Sequence, residues 1–169
     1  MAWICPGSES LPEAISLDLI ALILTGGRSS GLVRELREER QVVMDIDCSL
    51  SLQRDSSLFS IGALLETEHL AMVEQMICDR LSQLHHHLIP AAEIASAKRQ
   101  LINDYIFSTE TPSQLASIYG FYNIVATAAH SALYPQMIAQ LQPEQLQAIA
   151  QRYLSPEHYA VTVLKPGEQ

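Results

Sequence analysis

From Val42 the chain alternates with a period of two. Val42, Met44, Ile46, Cys48, Leu50 and Leu52 fall on one side, and Val43, Asp45, Asp47, Ser49, Ser51 and Gln53 on the other. This spacing predicts a long strand with one face in the core and one in water. "RDSS" supplies turn residues, and "LFSIGALLE" runs back as the second arm of a hairpin. "AWIC", Ala2 to Cys5, is a short apolar run stopped by Pro6-Gly7 and reads as another strand. "HYAVTVLKP" reads as a closing strand ended by Pro166-Gly167.

The remaining apolar positions recur at helical spacing. Pro12 opens a helix with a wide apolar face of Leu17, Leu19, Ile20, Ile23 and Leu24, and Gly26-Gly27 ends it. Ser29 or Ser30 caps a second helix that turns Val33 and Leu36 inward. Leu70, Val73, Ile77, Leu81, Leu84 and Leu88 step by three and four up to the breaker Pro90. A helix from about Ala91 carries Ile94, Leu101 and Tyr105, and one from about Pro112 to Ala129 carries Leu115, Ile118, Tyr122 and Val125. Pro143 opens a last helix with Leu146, Ile149 and Tyr153. Strand, two helices, hairpin, several helices and strand add up to an α+β fold: an antiparallel sheet with helices packed on one face.

Composition narrows the function. At 169 residues and 48% hydrophobic, the chain suits a single domain with a sizeable core. A formal net charge of -9 argues against phosphate backbones and anionic membrane surfaces as partners. No apolar run is long enough to span a bilayer, and "MAWICPGSES" lacks a signal peptide's basic start. Cys5, Cys48 and Cys78 are odd in number and widely spaced, which excludes a dithiol motif or zinc ribbon and fits free thiols in a soluble, cytoplasmic setting.

The candidate chemistry is thin. "TGGRSSG" follows a helix rather than a strand and has no lysine, so helix punctuation explains it better than a phosphate loop. No Gly-x-Ser-x-Gly elbow occurs. His85, His86 and His87 are consecutive, and helical neighbours about 100° apart cannot grip one ion together, so they read as a solvated helix end. "LETEH" misses the inverted zinc motif by its first ligand. Asp45 and Asp47 share the polar face of the long strand and read as solvated. Arg37 lies beside Val33 and Leu36, with Arg34 and Arg40 on its side of the helix. It reads either as one member of an ion-paired surface helix, with Glu35 and Glu38, or as a guanidinium placed for a carboxylate or a peptide carbonyl.

"LDLIALILTGGRSSGLVRELREERQVVMDIDCSL" resembles the second-half domain of the pitrilysin-like peptidases, the inverzincins that include the mitochondrial processing peptidase. The phrase is a helix, glycines, paired serines, then a Leu-Arg-Glu helix running into a strand. "LQPEQLQAIAQRYLSPEHYAVTVLKP" resembles the family's ending, so the likeness covers most of the chain. It implies a domain, 1–169, lacking its first strand–helix unit.

The resemblance also implies a role. One domain of such peptidases carries His-x-x-Glu-His and a downstream glutamate that hold zinc, and its relative closes over the substrate without them. Leu17, Ile20 and Ala21 stand in the places of His, Glu and His, so no cofactor is expected in this chain, and zinc is expected in a partner domain or subunit, in one longer chain or across a homo- or heterodimer. Extended peptide is the implied substrate. Arg37 matches the arginine that holds substrate backbone in such domains; Met44 stands where a tyrosine is usual, and a thioether donates no hydrogen bond. Gly31 stands where arginine is common. The chain is not expected to hydrolyse peptides alone. Non-catalytic relatives also serve as core subunits of respiratory complexes, which makes an inert scaffold the alternative.

Overall fold

The computed structural model describes residues 1–165. Strands β1 (Ala2–Pro6), β2 (Asp45–Ser51) and β3 (Ser56–Leu64) form an antiparallel sheet in the order β1-β3-β2. Helices α1 (Leu11–Thr25), α2 (Leu70–His86), α3 (Ala91–Phe107), α4 (Pro112–Val125), α5 (Ala128–Gln140) and α6 (Pro143–Tyr153) complete the α+β architecture. Trp3 and Cys5 of β1, Ile46 of β2, and Phe59 and Ile61 of β3 point into the core. The opposite sheet face is uncovered: Ile4 is 78% exposed, and Leu58, its cross-strand neighbour, is exposed as well. The alternation therefore works as expected, apolar residues inward and mostly Ser and Asp outward.

Helix α1 is the centre of the domain. It packs on β2 and is enclosed by α3, α5 and α6, so it is apolar on nearly every side rather than on a stripe. Leu17, Leu19, Ile20 and Leu24 are all 0% exposed. Trp3 fixes the sheet to the last helix by donating its Nε1–H to Ser155 O at 2.8 Å, and its ring meets Phe59 edge-on.

Four expectations need correction. The strand from Val42 begins only at Asp45, and its lead-in has the opposite phase: Val43 is buried and Met44 exposed. The cause is Gln41, whose φ of 55° swings the chain as it leaves the preceding helix. Leu88 is not on the α2 stripe; the helix ends at His86, Leu88 faces solvent and Ile89 goes inward. The single helix from Pro112 to Ala129 breaks at Ala126–Thr127, where Thr127 is extended, and α5 begins as a separate helix that periodicity alone did not separate. The closing strand is a single bridge, Ala160 to Ala2, and Pro166-Gly167 lie outside the described residues.

The segment Val33–Glu39 winds as a π-helix, with Arg40 N–H donating to Glu35 O at 3.1 Å. Gln41 then occupies the left-handed region, where a side chain crowds its own carbonyl. Gln41→Gly is therefore expected to raise stability by about 1 kcal/mol, read as a shifted urea midpoint at unchanged slope.

Candidate functional site

The three positions matched to zinc ligands lie on one side of α1. Leu17 and Ile20 are 0% exposed and Ala21 is 4% exposed, and none carries a donor atom. Among the described residues no group of three or more His, Cys, Asp or Glu is placed to hold a metal ion. The residues at these three positions do not fit zinc.

Arg37 sits where the π-helix passes over the start of β2. Its Nε and Nη2 donate to Glu38 Oε1 at 3.2 and 3.1 Å, and its Nη1 reaches Asp45 Oδ1 at 3.5 Å. Glu38 is also held by Arg28 at 2.9 Å. Hydrogen bonds from Arg28 and Arg37 keep the Glu38 carboxyl below its ordinary range. A guanidinium has five N–H groups, so these contacts leave one free on each terminal nitrogen. Arg37 is ion-paired, as the first reading expects, and it retains donors at the border of the uncovered sheet face.

Beside Arg37 that face carries small polar groups, with the exposed side chains of Ile4, Leu58 and Leu64 elsewhere on it. Asp45 pairs with Leu64, Asp47 with Gly62 and Ser49 with Ser60. Ser49 and Ser60 hydroxyls lie 3.1 Å apart. A Cβ on Gly62 would come within 2.9 Å of Asp47 Oδ1, so the glycine makes room for that carboxylate. Met44, 56% exposed, flanks Asp45, and its N–H donates to Leu64 O at 2.8 Å. Along the outer edge of β2 the Cys48 N–H does not stay free; Thr25 Oγ1 accepts it at 2.8 Å.

The other sequence candidates resolve structurally. Gly26 N–H donates to Leu22 O and closes α1, and Ser30 Oγ donates to Gly27 O, so "GGRSSG" is a helix junction. The place beside Gly31 is filled from elsewhere: a Cβ there would lie 2.7 Å from the Arg80 guanidinium of α2. His85 is not part of a solvated end. Its Nε2 lies 3.0 Å from Ala150 O and 3.1 Å from Leu154 O, which ties α2 to the C-terminus of α6, while His86 and His87 are exposed. Burial pushes the Cys48 thiol up to about 12 and Cys5 to about 11, so neither is a nucleophile at neutral pH.

Sequence reasoning missed Asp18. It follows Leu17 on α1, yet it faces a different side, toward α5, where Tyr134 donates its hydroxyl to Asp18 Oδ2. A charged residue inside an apolar helix was the available signal.

Comparison with known proteins agrees with this geometry. Residues 1–101 match the family described as the peptidase M16 inactive domain. An uncharacterized zinc protease of Mycobacterium tuberculosis is 29% identical over 152 residues, covering 89% of this chain and 34% of that protein. The uncharacterized zinc protease YmxG of Bacillus subtilis is 26% identical over 173 residues, covering 98% of this chain and 42% of that protein. The chain thus spans 34% to 42% of the length of these curated relatives. Among solved structures, a protease from Helicobacter pylori superposes with a TM-score of 0.82 at 22% identity, covering 92% of this chain and 38% of that one. A peptidase M16 inactive domain from Pseudomonas fluorescens does so with a TM-score of 0.75 at 19% identity, covering 92% and 38%. With residues 1–101 matched, the chain belongs to the peptidase M16 inactive domain family.

Proposed function

We propose that the domain is the zinc-free, substrate-binding half of a zinc metalloendopeptidase, closing over extended peptide opposite a zinc-bearing domain or subunit. The observation that carries this reading is Arg37, with a free N–H on each terminal nitrogen at the border of an uncovered sheet face. Extended peptide exposes a carbonyl at every residue, and a guanidinium is suited to hold one without regard to sequence. The serines and Gly62 leave that face shallow enough for a backbone to lie across it. Addition of the peptide to the β2 edge is disfavoured at its middle, because Thr25 already takes the Cys48 N–H.

The experiment mixes this domain with a homologous domain that carries His-x-x-Glu-His and follows cleavage of a fluorogenic extended peptide. Stimulated hydrolysis is expected only in the mixture. Arg37→Ala is expected to cut the stimulated kcat/KM by about tenfold to a hundredfold, the loss of a charge-assisted hydrogen bond to substrate. Hydrolysis by this domain alone would overturn the reading.

Met44 favours a second reading, that of an inert scaffold. It is exposed next to Asp45, which Arg37 reaches, and brings a thioether where the resemblance leads one to expect a tyrosine hydroxyl. A scaffold would bind the zinc-bearing domain without stimulating it, and Arg37→Ala would then change nothing.

A further inference from the structure

A cavity of about 190 Å³ opens in the helix layer, away from the uncovered sheet face. Leu11 and Ile15 of α1, Leu50 of β2, Phe121 and Tyr122 of α4, and Tyr134 of α5 line it, and Asp18 supplies its carboxylate. Among the described residues no lysine, arginine or histidine forms an ion pair with Asp18. The Tyr134 hydroxyl takes Oδ2, and Oδ1 accepts no hydrogen bond from the described residues. A carboxylate largely removed from water and lacking a countercharge is uncommon, because its desolvation is not compensated. Burial accordingly raises the Asp18 carboxyl above its ordinary range, against the lowering effect of the Tyr134 bond. The same surroundings push the Tyr122 phenol up to about 12, so it stays neutral beside the carboxylate.

We infer that this cavity is a binding site for a small organic cation of the alkylguanidinium type, seated on Asp18 Oδ1 against the rings of Phe121, Tyr122 and Tyr134. The chemistry converges on that class. The carboxylate supplies the missing opposite charge. The aromatic faces attract a cation and stack on a planar one. The volume is below the ~300 Å³ of an ordinary drug-sized pocket, so it admits a side-chain-sized group and little more. A guanidinium sheds its hydration more readily than an ammonium, which suits an apolar lining. The site is independent of the proposed peptide-closing role, since it lies on the helix side of the sheet.

The test titrates the intact chain with n-butylguanidinium, followed by amide chemical shifts of α1, α4 and α5. Binding with a dissociation constant on the order of 1 mM is expected. Asp18→Asn should weaken it at least tenfold; the amide still accepts from Tyr134, so the variant keeps its fold. Tyr134→Phe, which removes the competing hydroxyl, should bind at least as tightly as the wild type. n-Butylurea, neutral and of the same shape, should not bind, and n-butylammonium should bind more weakly. A short N-acetylated arginine peptide binding comparably would identify the source as a peptide side chain; binding of the free ion alone would identify a small metabolite-like cation. Equal binding of n-butylurea, unchanged affinity in Asp18→Asn, or no shift at ten times that concentration would overturn the inference and leave Asp18 as a neutral partner of Tyr134.

Discussion

A variant carrying Leu17→His, Ile20→Glu and Ala21→His together will lose cooperative folding instead of gaining a zinc site. The three substitutions restore the ligand motif on paper. In the fold they place two imidazoles and a carboxylate at positions 0% to 4% exposed, inside a helix enclosed by the sheet, α3, α5 and α6. An ion moved from water to such a place costs several kcal/mol even after relaxation, and the two leucine-sized side chains that are lost each leave about 2 kcal/mol or more unrecovered. A domain of this size has only about 5–15 kcal/mol to lose. Far-ultraviolet circular dichroism during urea titration, with and without zinc, reads the outcome. A cooperative transition that shifts upward on adding one equivalent of zinc would show that these positions can still assemble a metal site, and the expectation of unfolding would be wrong.

Gly7→Ala will destabilise the domain by about 3 kcal/mol or more, for a steric reason rather than a torsional one. Its φ of -77° is open to any residue. The obstacle is a backbone: an added Cβ would lie 2.1 Å from Arg54 O and 2.6 Å from Asp55 C. Those atoms belong to the turn between β2 and β3, and they cannot retreat, because Ser8 N–H donates to Gln53 O at 2.9 Å and to Arg54 O at 3.1 Å. The Ser8 hydroxyl in turn donates to Val125 O, so the same point joins the β-hairpin to the end of α4. Gly27→Ala is the matched control, since nothing lies within 4 Å of its added Cβ. Urea midpoints for the pair should differ widely; a Gly7→Ala midpoint as high as that of Gly27→Ala would mean the turn does not press on β1.

Much of the layer architecture was legible because one sheet face and the helix stripes obey simple periods. The hairpin, α1, α2, α3 and α6 follow from alternation, from steps of three and four, and from Pro or Gly at their ends. What stayed hidden depends on single backbone angles. Nothing in "ERQVVM" announces that Gln41 turns left-handed and reverses the phase of Val43 and Met44. The split between α4 and α5 rests on Ala126 and Thr127, two residues without a breaker's chemistry, and Pro135 inside α5 argued against a helix there at all. At the site, the absence of ligands at Leu17, Ile20 and Ala21 could be read directly. That Arg80 fills the space beside Gly31 and that Asp18 meets Tyr134 across more than a hundred residues could not, because these are contacts between distant parts of the chain; that Arg37 meets Asp45 could not because the chain between them bends at Gln41.

The tie between Trp3 and Ser155 also fixes an order of events during synthesis. Strand β1 precedes β2 and β3 in the chain, but its indole must wait for a carbonyl 152 residues later, and Ala2 waits for Ala160. The β2–β3 hairpin is complete long before that. While the later helices are still being made, β1 can pair with β3 but has no partner on its other side. Of the three described strands β1 is thus the last to be locked, and until then its Trp3 side chain is a surface the nascent chain has to keep from its neighbours.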